Sequence, residues 1–505
     1  MDDLIKVTLT PKIRLEQALK DVGVKKPESV TRLTIEGMIA DDDFVYIRRN
    51  MSETLLELDL SKASVTEIGE LAFYACKGLT SIIIPTSVTE IGRCAFLECS
   101  NLISVTLSAS VKKINEGAFA LCKELITISA PADNPTYTSE DGVLFNKNKT
   151  KLVVCPEGRK DNYVIPNTVT KIGARAFSDR NGLSSVIIPN SVTTIEKQAF
   201  SRCTGLSSLI IPNSVVKIGV SAFYECSVLT SIAISSSLTK ISDNLFSDCS
   251  KLSSVILPNS ITEIGRHAFS GCKSLSSINI PDSVTKIGDF AFFNCTELES
   301  VTIPNSVTEI GYCAFSRCDK LQSVFIPASV EKIRVSAFKN DQIHITVHPD
   351  NPYYTIEDGV LFNKDKTALI AYPVARKGDY VIPVSIKRIE EGAFSGCKNL
   401  TAITIPNGIT TIEYGTFLSC INLKSVTIPN TVTQIAPEAF SCCDKLQTIF
   451  IPASVKKIDE TAFGNYGRES FTVHPDNPVY KSTNGVLKTR KNNKTVYFGT
   501  IYNDY

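Results

Sequence analysis

Apolar and polar residues along this chain follow a short alternation that restarts at a fixed interval. In Leu206-Ser-Ser-Leu209-Ile-Ile211-Pro212 the apolar residues at 206, 209 and 211 point one way. The step of two between 209 and 211 is strand spacing and predicts a strand, which Pro212 and Asn213-Ser214 end. Val215 and Ile218 then turn inward, Gly219 gives the backbone freedom for a corner, and Ala222-Phe223 with Cys226 complete the apolar side. The unit recurs. Its phenylalanine falls at Phe73, Phe96 and Phe119, then at Phe177, Phe200, Phe223, Phe246, Phe269, Phe292, Phe315 and Phe338, then at Phe394, Phe417, Phe440 and Phe463. Within each run the spacing is 23 residues without exception. A unit this short cannot bury its own apolar side, so neighbours must stack as rungs of one coil with a continuous core, the fifteen phenylalanines forming its ladder.

The spacing jumps from 119 to 177 and from 338 to 394, and both jumps hold the same segment. One reads Asp133-Asn-Pro-Thr-Tyr137, Asp141-Gly-Val-Leu-Phe145 and Tyr163-Val-Ile-Pro166; the other reads Asp350-Asn-Pro-Tyr-Tyr354, Asp358-Gly-Val-Leu-Phe362 and Tyr380-Val-Ile-Pro383. Asp-Gly, an apolar triplet, a polar Asn-Lys stretch and a second apolar triplet predict a β-hairpin that leaves the stack and feeds the next rung. A third copy begins at Asp476-Asn-Pro-Val-Tyr480 and lacks the Phe and the closing Ile-Pro. Near the other end, Thr10-Pro11 opens a helix with Leu15, Leu19 and Val22 at helical spacing and Gly23 after it; Leu33-Thr-Ile35 reads as a strand and Asp41 to Arg49 as a second short helix. Atypical ends are what an open solenoid needs. The expected organisation is therefore a cap over 1–54, repeats over 55–132, an insert over 133–166, repeats over 167–349, an insert over 350–383, repeats over 384–475, and a C-terminal cap over 476–505.

Leu55-Leu-Glu-Leu58-Asp-Leu60 carries the strand spacing of leucine-rich repeats. The 23-residue unit, Leu-x-Ser-Val-x-Ile-Pro-x-Ser-Val-x-x-Ile-Gly-x-x-Ala-Phe-x-x-Cys, resembles the BspA-type leucine-rich repeats over roughly residues 55–470. The expected fold is an α/β-type solenoid: a right-handed leucine-rich-repeat coil with 23-residue rungs, a parallel sheet on the concave side and β-hairpin inserts. The resemblance implies a cell-surface or secreted protein acting in adhesion or host interaction.

Composition narrows this picture. The chain has 505 residues, more than one compact core usually serves, and 43% hydrophobic residues, which excludes wholesale disorder. A net charge of +1 argues against a general nucleic-acid binder. No apolar run is long enough to span a membrane. Residues 1–30 show no basic run followed by an apolar stretch, so no secretory leader is read here and a cytoplasmic location stays open beside the surface one.

Chemistry-bearing residues read as structural. Twelve cysteines stand three residues after the repeat Phe, and Arg180, Asp341 and Tyr466 stand where that series skips. A redox or metal ladder is set against a column of buried thiols; parallel Cβ vectors, no CxxC pair and no histidine column favour the thiols. His348 and His474 precede Pro-Asp-Asn-Pro in two of the inserts and read as turn residues. Asp133 with Asp141, and Asp350 with Asp358, match no calcium loop and read as turn chemistry. No motif places a nucleophile near a base, so neither catalytic residue, cofactor nor metal is expected. Glu263, Lys286, Glu309 and Lys332 alternate in sign one rung apart, giving either a solvated charge ladder or part of a weakly basic stripe for acidic glycans. Between the inward strand residues lies a column whose apolar members, Ile187, Ile210, Ile256, Phe325 and Phe450, face outward on the concave sheet and are the expected ligand contacts, set against plain β-propensity on a partly covered sheet.

The leading expectation is a non-enzymatic scaffold, a monomer, that binds protein or glycan through this sheet. The alternative is an intracellular protein–protein interaction scaffold without export. An enzyme acting on surface polysaccharide ranks third, because the repeat acids lie on a ladder rather than in a cleft.

Overall fold

The computed structural model describes residues 4–160, 162–340, 343–464 and 470–496. Asp341 and Tyr466 of the cysteine series and residues 497–505 of the expected C-terminal cap lie outside the described residues. The chain divides into two compact units, Met1–Ser260 and Ile261–Tyr505. Each is a solenoid of parallel strands with a 23-residue step.

In the first unit, strands Leu4–Leu9, Arg32–Met38, Glu57–Asp59, Ser81–Ile83, Ser104–Thr106 and Thr127–Ser129 pair in parallel in that order. Later rungs continue the pattern, with Ser208–Ile210, Ser231–Ala233 and Ser254–Ile256 in register residue for residue. A second parallel ladder of two-residue strands runs beside it, through Lys171–Ile172, Thr194–Ile195 and Lys217–Ile218. The second unit repeats both ladders, for example Ser277–Asn279 with Ser300–Thr302, and Glu263–Ile264, Lys286–Ile287, Glu309–Ile310 and Lys332–Ile333.

The core follows from the period. Leu206, Leu209, Ile211, Val215, Ile218, Ala222, Phe223 and Cys226 are all buried. All fifteen repeat phenylalanines are buried as well. In the first unit Phe73, Phe96 and Phe119 stack in sequence with ring centroids 5.1 and 5.3 Å apart, and Phe177, Phe200, Phe223 and Phe246 stack at 4.8, 5.4 and 5.6 Å. In the second, Phe269 to Phe338 and Phe394 to Phe463 stack in the same way. Phe44 meets Phe73 edge-on at 5.2 Å, and Phe471 meets Phe463 edge-on at 5.3 Å, so each of these stacks ends on a perpendicular ring.

The column cysteines are packed thiols. Cys226 Sγ donates to the Phe200 carbonyl at 3.1 Å, and the same bond to the phenylalanine 26 residues earlier recurs at Cys99, Cys122, Cys203, Cys249, Cys295, Cys318, Cys420 and Cys443. Burial pushes these thiols far up: Cys76 and Cys318 to about 12, with Cys203, Cys226, Cys295 and Cys420 well above their ordinary value. None of the sixteen cysteines is joined in a disulfide.

Corners are built differently from the sequence expectation. The residues two before and two after the repeat Phe take left-handed backbone in every rung but those of Phe338 and Phe463, as in Ser221 (φ 57) and Glu225 (φ 54) around Phe223. Gly219 has no such angle; it is needed because the previous rung lies against it, and a Cβ there would sit 2.7 Å from the Glu196 carbonyl carbon. A third backbone ladder holds the corners, with Ser221 N–H donating to Asp243 O at 3.0 Å and Phe223 N–H to Leu245 O at 3.1 Å. Two left-handed residues per rung leave no run long enough for a helical turn. Among the described residues α-helix is accordingly confined to Leu15–Asp21 and Asp41–Asn50. Buried Asp43 ties these two together: its carboxylate accepts from Leu15 N–H (2.8 Å) and Ala40 N–H (2.9 Å) and meets Arg14 at 3.1 Å.

Each insert has one strand more than a hairpin. In the first unit Tyr137–Glu140 and Val143–Asn146 pair antiparallel around Asp141-Gly142 (φ 48 and 78), and Lys151–Val154 then joins Lys171–Ile172 in the rung ladder. Tyr354–Glu357, Val360–Asn363 and Ala368–Ala371 do the same in the second unit. In the third copy Tyr480–Thr483 pairs with Val486–Thr489, and Thr495 bridges back antiparallel to Lys488.

A buried asparagine pins each copy. Asn134 Nδ2 donates to the carbonyls of Ser108 and Val111 at 3.0 Å each, and its Oδ1 accepts from Thr136 and Tyr137 N–H at 2.8 Å each. Asn351 and Asn477 make the same four bonds. The neighbouring tyrosine hydroxyl accepts an N–H from the second ladder: Tyr137 from Ile114, Tyr354 from Ile333 and Tyr480 from Ile458.

Candidate binding surface

The strand that buries Leu209 must expose its neighbours, since alternate residues face opposite ways. Ile187, Ile210 and Ile256 are 60%, 75% and 77% exposed. Ile210 and Ile256 flank Ala233 in strict register, and Ile187 lies opposite Val164, itself 62% exposed. Val164 and Ile187 share one shallow groove with Pro189 and Asn190. Sequence reading passed over Val164, because the repeat frame is broken by the insert; the signal was Tyr163-Val-Ile-Pro166, which restores the strand ending.

The other two candidates lie in the second unit. Phe325 is 47% exposed opposite Thr346, and Phe450 is 45% exposed opposite Thr472. Each meets a histidine edge-on, Phe325 with His348 at 6.0 Å and Phe450 with His474 at 6.3 Å. Those histidines also shape turns, their Nδ1 accepting the N–H of Asp350 (3.1 Å) and Asp476 (3.2 Å). Val381, 68% exposed in line with Thr404, is a further apolar position that the sequence reading omitted.

The electrostatics of the first-unit face are simple. Residues 184–187, 207–210, 230–233 and 253–256 contain no charged side chain. Exposed hydroxyls border the aliphatic row, and several already donate along the ladder, as Thr230 does to Ser207 O (3.1 Å) and Ser253 to Thr230 O (3.2 Å). They therefore offer acceptor lone pairs outward. Charge is gathered on the second ladder instead. On that ladder in the second unit, Glu309 meets Arg334 at 3.3 Å and Lys286 and Lys332 at 3.4 Å each. Burial raises its carboxyl, but the three cations outweigh burial and hold it below the usual value. Among the described residues no cluster of three His, Cys, Asp or Glu side chains is arranged to hold a metal, and no helix is long and apolar enough to cross a membrane.

The model of the BspA type leucine rich repeat region matches residues 50–160, 159–275, 239–368 and 378–482. The chain belongs to this family. Among solved structures, a leucine rich cell surface protein from Faecalibacterium prausnitzii is 29% identical, covering 69% of this chain and 97% of its own, with a TM-score of 0.50. A leucine-rich repeat protein from Eubacterium ventriosum is 23% identical over 62% of this BspA-type chain and 90% of its own, with a TM-score of 0.46. One from Bacteroides ovatus is 24% identical over 83% and 92%, with a TM-score of 0.35. No curated protein matches the sequence.

Proposed function

We propose that this BspA-type protein is a non-enzymatic binding scaffold displayed at the cell surface, where it engages a protein or glycan in adhesion or host interaction. The observation that carries this reading is the exposed, uncharged row of Ile187, Ile210 and Ile256 bordered by hydroxyls. An aliphatic row this exposed costs solubility and is what a partner would cover. Val164 extends the row, and Phe325 and Phe450 supply aromatic contact points in the second unit. The surface location draws support from the Faecalibacterium prausnitzii relative. The test is an array of matrix proteins and glycans, followed by Ile187→Ser, Ile210→Ser, Ile256→Ser and Phe325→Ser in one chain. Binding lost with the circular-dichroism spectrum and melting unchanged supports the reading; binding retained by the folded variant overturns it.

A second reading, an intracellular interaction scaffold, is favoured by sixteen cysteines held outside disulfides. Surface biotinylation of intact cells separates the two, since only a displayed protein is labelled.

A further inference from the structure

The second unit carries one surface arrangement twice. In Ser323–Ile326 and Thr448–Ile451 the outward residues are Ser323 with Phe325 and Thr448 with Phe450. Each phenyl lies between threonines on the neighbouring rungs. Thr346 stands opposite Phe325 and Thr472 opposite Phe450, while Thr302 and Thr427 hold the same column one period earlier. Each phenyl also meets a histidine edge-on, His348 or His474, whose backbone N–H is tied to the strand end at Ile326 O or Ile451 O, 2.9 Å in both cases. The imidazole Nδ1 accepts a backbone N–H of its own turn, from Asp350 or Asp476. A neutral imidazole whose Nδ1 is an acceptor carries its proton on Nε2, so each histidine keeps one ring N–H donor that the turn does not use.

The first insert supplies the contrast. Asn134 corresponds to Asn351 and Asn477, but three residues before it stands Pro131 where the others have histidine. One rung earlier, Thr106 faces Ser129 where phenylalanine faces threonine in the other two. Phenyl and imidazole are thus present together or absent together. A ring needed only to cover the strand where an insert departs would be needed at all three.

The surroundings narrow what such a pair can hold. Residues 300–303, 323–326 and 345–348 around one ring, and 425–428, 448–451 and 471–474 around the other, contain no Asp, Glu, Lys or Arg. Nothing there selects a charged ligand. A phenyl face carries negative charge density and attracts polarised C–H groups, while the ring N–H and the threonine hydroxyls need oxygen partners beside it. A hexopyranose offers both at once, a face of C–H groups and a rim of hydroxyls.

We propose that Phe325 with His348, and Phe450 with His474, form two sugar subsites, each taking the C–H face of a neutral hexopyranose on the phenyl and one of its hydroxyls on the imidazole N–H. This rests on the binding-scaffold reading and narrows its ligand to a neutral glycan in the second unit.

The test uses the full chain with the methyl β-pyranosides of glucose and galactose as probes, and cyclohexanol as a ring of similar size without the hydroxyl rim, read by saturation-transfer NMR. At least one sugar is expected to bind at millimolar concentration, with transfer strongest at the C–H protons of one face, and cyclohexanol far more weakly. Phe325→Ser or Phe450→Ser alone is expected to halve the signal, and the two together to abolish it with melting unchanged. His348→Asn with His474→Asn keeps an acceptor for the turn N–H and is expected to weaken binding about fivefold, the worth of one hydrogen bond, with the same face still saturated. No transfer to either sugar at tens of millimolar, equal transfer to cyclohexanol, or a signal unchanged in the folded double phenylalanine variant overturns the proposal. So does a partner without sugar that binds the wild type and is lost in that variant. Ile187, Ile210 and Ile256 are intact in all these variants, so failure here leaves the first-unit row standing, and sugar binding that survives their replacement by serine strikes the row alone.

Discussion

Asn134→Ala tests what anchors an insert to the solenoid. The side chain is fully buried and makes four hydrogen bonds, two to rung carbonyls and two from its own loop. At about 1 kcal/mol net for each, the loss comes to ~4 kcal/mol. Its neighbour Asp133 is exposed, so Asp133→Ala should stay within about 0.5 kcal/mol. Because a repeat array need not unfold in one step, the assay is native-state hydrogen exchange of the hairpin amides between Tyr137 and Asn146 rather than a global melt. A 4 kcal/mol drop in local opening energy accelerates exchange there by roughly a thousandfold, with rungs beyond Phe200 unaffected. Asn134→Asp sharpens the test. It keeps the acceptor but turns an ionised oxygen toward the carbonyls of Ser108 and Val111. That raises the folded-state value of the new carboxyl above its unfolded one. The stability of this variant is then fully present below the unfolded value and is lost as pH rises, so its hairpin opens more readily at pH 8 than at pH 4, while the alanine variant shows no such slope. Acceleration of less than about tenfold for Asn134→Ala would refute the anchoring argument.

Other expectations follow from the same geometry. Alkylation of the native protein should modify Cys94 and Cys442, the half-buried pair, and spare the other fourteen thiols until unfolding, as counted by mass spectrometry. Gly219→Ala should destabilise the first unit by about 2 kcal/mol or more through backbone collision, although its φ is ordinary, whereas Ser221→Gly should gain a few tenths to about 1 kcal/mol by relieving a left-handed residue; denaturant midpoints decide both. Glu157→Gln should stabilise the protein above pH 7 and leave it unchanged near pH 4, because burial, with repulsion from Asp179, pushes the Glu157 carboxyl up to about 7, and such a group contributes stability below its unfolded value that is lost as pH climbs; melting temperatures across that range check the sign. Phe223→Ala, which removes a ring stacked on both sides, should cost about 3–5 kcal/mol in chemical denaturation.

Much of this protein is legible without coordinates because a solenoid is nearly one-dimensional. Each rung meets only its neighbours, so a fixed 23-residue period sets which side chains stack, and alternation within Leu206–Ile211 sets which face is buried. Phe223, Cys226 and the exposure of Ile210 all follow from that local rule. The corner glycine was misread because sequence shows that a residue is small, not whether smallness serves a torsion or a neighbour; only the stacked backbone places Glu196 against Gly219. Likewise Asp-Asn-Pro reads as a turn, and the turn is there, but the four-bonded role of Asn134 depends on carbonyls 23 and 26 residues earlier. The pairing of Cys155 with Arg180 lay beyond sequence altogether, since a cysteine where the sister insert has Tyr372, and an arginine where the sister rung has Cys397, gain meaning only when the Arg180 guanidinium is seen 3.0 Å from the Cys155 sulfur. Period and alternation determined the coil and its faces; where the period breaks, tertiary contact alone decided what fills the gap.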